Sequence, residues 1–324
     1  MQSRIITAVP VRNGQDFIRQ TLESIARQTV RPDRVVVFDN RSTDRTLEIV
    51  RDFKDLACEI SIAEREGDCM FANFNRALRL AGQTDYLHIL HADDLIEPAF
   101  YETMTGLLND CPGFALGWCE DERIDENNQH LSFSGKGDGK AEVLAKDIFL
   151  QRKAEIGNQA FCASLMKTSG QPAPCLFPLD YPVLGDQIFW AAFGSHCQKL
   201  VHLHRPLAKY RWHGANGTTF LGPSIQILVL DEWRAMQTNE ALRGQGMAWH
   251  RELKLKGLFA VRSGIKAKRV RQNGNPTYSQ QIVSASRQVT GWPLWLAGQT
   301  LVELRDLYLF GLLRRKRHPK NVYN

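Results

Sequence analysis

Asp93 and Asp94 stand where the apolar run at residues 86–90 ends, and a helix-opening Glu97-Pro98 follows them. That order places the two acids at the C-terminal end of a buried strand. In an open α/β sheet this is the edge that binds ligands. Adjacent carboxylates there suit a hard divalent cation, because Mg²⁺ and Mn²⁺ take few protein oxygens and leave the rest of their shell to water and diphosphate. An Asp ahead of a helix is also an ordinary N-cap, and the stretch by itself leaves both readings open. Asp186 opens an apolar helical stretch, where it is either a cap or, beside aromatic side chains that raise a carboxylate's pKa, a general base. Arg211 and His213 close a strand-like run and suit a diphosphate and a metal respectively. Asp39 and Asn40 follow another apolar run, as readers of a nucleobase or ribose edge or as turn formers before a helix capped by Ser42 or Thr43.

Positioning these groups requires a regular framework, and the first 118 residues supply one. Short β-branched runs at 5–9, 34–38, 58–63 and 86–90 alternate with helical patterns at 16–28, 46–53 and 70–78. The run at 34–38 is nearly all Val, as expected of a parallel strand covered on both faces. The alternation predicts right-handed parallel crossovers and a nucleotide-binding α/β sheet. No Gly-x-Gly-x-x-Gly or Walker A loop follows the first strand, so a dehydrogenase, a P-loop enzyme or a nucleotidyltransferase with such a loop fits poorly. A helix at 98–109 and a strand at 114–118 come next, then a polar stretch at 120–129 and the glycine-rich segment 134–140, read as a loop that closes over a ligand or simply as exposed linkage.

The composition, 43% hydrophobic and 23% charged over 324 residues, is that of a globular protein with one large or two modest domains. Seven scattered cysteines without a Cys-x-x-Cys argue against a zinc site or a disulfide framework and favour a reducing cytosol. Residues 1–4 lead straight into the first strand without the apolar core of a signal peptide, so a cytoplasmic location is expected. The net charge of +6 is unevenly spread: residues 251–324 carry 15 Lys+Arg against 3 Asp+Glu, leaving 26 against 32 for residues 1–250. An acidic body with a basic appendage argues against nucleic acid as a partner and for an anionic membrane surface or plain solvation.

Six ordered motifs give the sequence a resemblance. They are Val9-Pro10-Val11-Arg12-Asn13, Phe38-Asp39-Asn40-Arg41-Ser42-Thr43-Asp44, residues 70–77, Leu90-His91-Ala92-Asp93-Asp94, Gly185-Asp186 and Tyr210-Arg211-Trp212-His213. Over residues 3–220 the chain resembles the family 2 glycosyltransferases, which have the GT-A fold, a Rossmann-like, mostly parallel sheet flanked by helices. The resemblance implies a nucleotide-sugar-binding half at 1–118, an acceptor half at 119–220 and a helical, basic extension at 221–324. It implies that Pro10, Asn13, Asp39 and Asn40 contact the nucleoside, that Asn75 lines the donor cleft and that Asp186 is the catalytic base. Asp93 and Asp94 occupy the metal and ribose motif, and Arg211 with His213 the diphosphate and metal side. His91 stands where the metal motif begins with Asp, and Asn40 where the nucleoside motif has a second acid. The implied activity is metal-dependent, inverting transfer from a nucleotide sugar to a hydroxyl of a glycan or lipid-linked acceptor, with Mn²⁺ or Mg²⁺, in bacterial surface polysaccharide or glycolipid synthesis. A non-catalytic nucleotide- or glycan-binding subunit that kept the fold is the other reading, to which His91 lends support.

Beyond residue 222 the pattern turns helical, at 225–236, at 253–261 and from 291 onward, with basic residues at Lys266, Lys268, Arg269, Arg271 and 314–317. Glu303, Arg305 and Asp306 within the last helix argue against a transmembrane span. Its Trp and Leu content suits an interfacial helix on the inner face of the cytoplasmic membrane, or a helix packed on the protein itself.

Overall fold

Seven consecutive residues, Ile5–Val11, are buried on both faces and form the central strand β1. The computed structural model describes residues 4–62, 69–135, 137–150, 161–169, 175–181, 184–213, 225–242 and 249–317, with the backbone alone at 58, 225, 226 and 305–317. The loop at 64–68 and the first half of the proline-rich turn at 171–178 lie outside them.

Around β1 the expected alternation is realised. Helix α1 (Ile18–Ala26) leads to β2 (Arg34–Asp39), α2 (Thr46–Asp52) to β3 (Cys58–Ile62), and α3 (Met70–Leu78) to β4 (Tyr86–Ile89). These strands pair in parallel in the order β3-β2-β1-β4. Ile18, Leu22 and Ile25 put one apolar face of α1 against Val9, Val35 and Val37 of the sheet.

The second half of the sheet departs from the alternation. Asp93 and Asp94 are followed by a two-residue strand β5 (Leu95–Ile96) before helix α4 (Phe100–Leu108) starts, so they do not cap that helix directly. Strand β6 (Ala115–Ile124) runs on through the polar residues 120–124 that the sequence reading left irregular. Lateral pairing with β7 (His130–Phe133) and β10 (Lys199–Arg211) overrides the local polarity of that stretch, while β9 (Ser164–Lys167) pairs with the apolar start of β6. Strand β9 inserts antiparallel between β4 and β6, β10 runs parallel to β6, and β8 (Ala141–Val143) and β5 pair antiparallel with β10. The sheet thus has ten strands among the described residues, with helix α5 (Gly185–His196) feeding into β10.

The chain divides into two compact units, 1–181 with 185–219, and 182–184 with 220–324. The second contains helices α6 (Ile225–Leu242), α7 (Trp249–Gln272), α8 (Pro276–Thr290) and α9 (Trp292–Arg317), of which α8 has no counterpart in the sequence reading. Its core is built from Val229, Met236, Leu255, Phe259, Ile282 and Ala285. At Gly298 a Cβ would lie 2.7 Å from the Ala260 methyl and 3.1 Å from its carbonyl carbon, so α9 crosses α7 in backbone contact. None of the described helices is long and apolar enough to cross a membrane.

Under the sheet, His88 is fully buried, with Nδ1 2.9 Å from the Tyr101 hydroxyl and Nε2 3.1 Å from the Cys162 carbonyl. Burial is the main reason its pKa falls to about 3, aided by the nearby His91. The native state therefore holds His88 neutral while the unfolded chain protonates it below about 6.5. Stability is complete above that pH and is lost as pH falls toward 3, at about 1.4 kcal/mol per pH unit. Urea midpoints measured from pH 7 to pH 5 are expected to fall more steeply for the wild type than for His88→Asn. Parallel curves would remove His88 from the acid sensitivity.

Candidate active site

Strand β4 ends at Ile89, and the chain emerges at the C-terminal edge of the parallel strands with His91, Asp93 and Asp94. Thr21 of α1, itself fully buried, holds this turn: its hydroxyl lies 2.9 Å from both the Ala92 and the Asp94 carbonyl oxygens. The Asp94 carboxylate accepts the Arg211 backbone N–H at 2.9 Å, which ties the turn to the end of β10. Asp93 Oδ2 lies 3.0 Å from His213 Nε2. One ligating atom from each of His91, Asp93 and Asp94 falls within 4.8 Å of the others.

The adjacent acids differ in charge preference. Burial and the charge of Asp93 push Asp94 well above the usual carboxylate range, and its Oδ2 has no hydrogen-bond partner. Burial works against ionisation of Asp93 too, but the attractions led by the His213 hydrogen bond outweigh it and keep its pKa low. Burial lowers the pKa of His91 and keeps it neutral; its ring stacks on Phe74 at 5.2 Å and lies tilted against Phe161 at 5.4 Å. A buried carboxylate oxygen without a donor, an ionised neighbour and a neutral imidazole form a donor set that fits a divalent cation. With His rather than Asp at position 91, a side chain capable of ligation still stands there.

Arg211 is the largest polar side chain buried at the site, with 0% exposure. Its Nε donates to the Asp93 carbonyl at 2.7 Å, Nη1 to the Asp125 carbonyl at 3.1 Å and to Asn128 Oδ1 at 2.8 Å, and Nη2 to Gln20 at 3.0 Å. The guanidinium also lies 4.6 Å from the centre of the Phe17 ring. These donors face protein oxygens, so the side chain braces the acid turn. Gln20, Phe17 and Asn128 carry no motif, and only the folded backbone reveals them as its partners. His213 packs its ring 4.9 Å from Phe17.

The ends of β1 and β2 form the neighbouring wall. Pro10 is buried at the end of β1 and pairs in register with Phe38. Asn13 takes a left-handed backbone (φ 53°), accepts the Thr43 N–H at 2.8 Å and donates its own N–H to Ser42 at 2.8 Å. Asp39 is fully buried: its Oδ2 accepts the Ser42 N–H at 3.0 Å, while Oδ1 has no partner. Asn40, also buried, donates its backbone N–H to Val11 at 2.8 Å. Arg76 of α3 lies 5.3 Å over the Phe38 ring and donates to Asn73 and Ser61 at 2.8 Å each, bracing this wall from below.

Asn75 exchanges two hydrogen bonds with the backbone of Phe177, at 3.0 and 2.7 Å, so its amide fixes the segment leading to α5. Phe177 stacks on Phe71 at 5.0 Å, and a Cβ at Gly185 would lie 2.8 Å from the Phe71 ring. The start of α5, with half-buried Asp186 in its first turn, therefore seats on the aromatic layer that also carries His91.

A mostly parallel sheet with acids at the edge of its central strands, extended by a mixed half, defines the GT-A class of nucleotide-sugar folds. The chain matches Glycosyl transferase family 2 over residues 7–169, half of its length, and belongs to that family. It is 31% identical over 105 residues to glycosyltransferase GlyA of Streptococcus pneumoniae and 27% identical over 126 residues to an uncharacterized glycosyltransferase of Rickettsia typhi. Those stretches cover 32% and 39% of this chain but only 15% and 38% of the relatives. Among solved structures, S. aureus TarS 1-349 in complex with UDP-GlcNAc matches with a TM-score of 0.57 at 15% identity, over 89% of this chain and 90% of that one.

Arg211→Lys keeps the charge but loses the planar fork that reaches three separate segments. Leaving buried carbonyls without donors is expected to cost about 2–4 kcal/mol in urea unfolding. Arg211→Lys as stable as the wild type would show that the brace is dispensable.

Proposed function

We propose that this protein is an inverting glycosyltransferase that moves a sugar from a nucleoside diphosphate sugar to an acceptor hydroxyl. The observation that carries the reading is the His91, Asp93 and Asp94 cluster at the edge of the parallel strands, with the buried Asp94 Oδ2 lacking a partner. His91, Asp93 and Asp94 would hold a Mn²⁺ or Mg²⁺ ion, with His213 at its margin. When bound, such an ion supplies Lewis-acid stabilisation to a leaving diphosphate.

The protein's own groups divide the remaining work. Asp39 Oδ1, buried and without a donor, suits the N–H of a pyrimidine ring, and Asn13, Pro10 and Asn40 shape the wall beside it. The TarS complex with UDP-GlcNAc makes uridine nucleotides the first donors to try. As the acceptor oxygen attacks the anomeric carbon, the bond from that carbon to the diphosphate oxygen breaks. Asp186 takes the hydroxyl proton. A single base without a second nucleophile corresponds to one displacement and inverted configuration. Seating of α5 on the Phe71 and Phe177 layer supports Asp186 in this role.

The reading extends to surface polysaccharide or glycolipid synthesis at the cytoplasmic face of the membrane. Helix α9 buries Trp295 and Val302 and exposes Trp292, Leu296, Leu301 and Leu304, an outward, largely apolar stripe in a unit rich in basic residues. Such a stripe suits peripheral contact with anionic lipid. Flotation with vesicles containing an anionic lipid should retain the wild type and lose the Leu296→Glu, Leu304→Glu double variant. Equal retention of both would place the contact elsewhere.

The reaction is tested by turnover of a UDP-sugar panel with Mn²⁺. Asp186→Asn is expected to lower kcat by at least about 10²-fold, with the donor-induced rise in Tm preserved. Full transfer by Asp186→Asn would remove it as the base. Metal-dependent nucleotide binding without turnover of any donor by the wild type would favour a non-catalytic binding subunit.

A further inference from the structure

A second cluster of metal-ligating groups lies away from the acid turn, on one face of the β6, β10 and β8 strands. His202 and His204 alternate along β10 and so project to the same face, and Glu142 of β8 stands directly opposite His202 in the pairing register. Glu120 of β6, only 3% exposed, completes the group from the other side. One ligating atom from each of Glu120, His202 and His204 lies within 4.8 Å of the others. His204 Nδ1 is 3.2 Å from Glu120 Oε1, close to the about 3.3 Å that separates neighbouring ligands in a tetrahedral zinc site with bonds of about 2.0 Å.

The surroundings are those of a built site. Trp118 stacks on His202 with ring centres 5.1 Å apart and planes 15° apart, which fixes the orientation of that imidazole. The His202 and His204 rings lie 4.3 Å apart. The Gly137 N–H donates to Glu120 Oε2 at 2.8 Å, which leaves Oε1 turned toward His204. The far nitrogen of His204, Nε2, faces Glu142 Oε2 at 3.6 Å. A carboxylate behind an imidazole whose other nitrogen faces the ion is the outer-shell arrangement that orients metal-bound histidines.

We propose that Glu120, His202 and His204 bind a zinc-class divalent ion, with Glu142 orienting His204 from behind. Two imidazoles and one carboxylate, richer in nitrogen than the His91, Asp93 and Asp94 set, favour Zn²⁺ over Mg²⁺ or Ca²⁺. The site's role is structural. Backbone bonds from Gly139 to His204 and from His204 to Lys140, both 2.7 Å, already clip the segment around 137–140 onto β10. An ion held by Glu120 and His204 locks that segment to the sheet from both flanks. Cysteine spacing, which indicates no zinc site, carries no information about ligands of this kind, two histidines of β10 and a carboxylate of β6.

The full chain, stripped with a chelator and titrated with Zn²⁺, tests this. One equivalent should bind and raise the Tm, and Co²⁺ should give the visible absorption of a tetrahedral site. The His202→Ala, His204→Ala double variant should lose both signals. Glu142→Gln should weaken Zn²⁺ binding about 10–100-fold. Asp94→Asn, which alters the other cluster, should leave the Zn²⁺ response unchanged, so this result stands or falls separately from the transferase reading. A wild type that shows neither the Tm rise nor the Co²⁺ spectrum overturns the proposal, as does a Zn²⁺ response that survives the double histidine substitution or disappears with Asp94→Asn.

Discussion

The acid turn depends on a buried cation. Asp93 and Asp94 are neighbours in the chain, Asp94 buried and Asp93 half-buried, so their charges repel in surroundings that screen poorly. Arg211 reaches this turn from the last strand of the sheet, binds the Asp93 carbonyl through its guanidinium and the Asp94 carboxylate through its backbone. The same guanidinium collects α1 through Gln20 and the turn after β6 through Asp125 and Asn128. Strands remote in sequence are thereby fixed relative to the carboxylates. The strand-end geometry follows from this brace as much as from the sheet itself.

A division of labour follows. Some polar residues near the site are fully engaged with protein and hold the frame: Thr21, Asn75, Asn73, Arg76 and Arg211. Others keep an unmatched atom: Asp39 Oδ1, Asp94 Oδ2 and His91 Nε2. A buried polar atom without a partner costs stability unless something binds there. Three of them gather along one sheet edge, at or past the ends of parallel strands, which is the pattern a binding surface would leave.

The parallel half of the sheet was legible in the sequence because each of its strands is a continuous apolar run and each helix repeats its apolar residues at helical spacing. The mixed half was not. β6 passes through Glu120, Asp121, Glu122 and Arg123, a polarity that reads as loop until β7 and β10 supply partners on both sides. β5 is two residues long and carries no periodicity at all. Within the candidate site, the residues at 39, 93, 94 and 213 stand out in the sequence through their positions near strand ends. The sequence could not show that Arg211 points into protein or that Asn75 grips a backbone 102 residues away, because neither fact leaves a local pattern.

That grip ties two distant parts of the chain by the polarity of a single amide. Asn75 presents its nitrogen to the Phe177 carbonyl and its oxygen to the Phe177 N–H, so the match has only one orientation. An aspartate there would set oxygen against oxygen and push the 175–181 segment off α3, although it differs from asparagine by a single heavy atom. Isosteric replacement is thus no safeguard at this position, and any drift toward acid would be felt first where the chain enters α5.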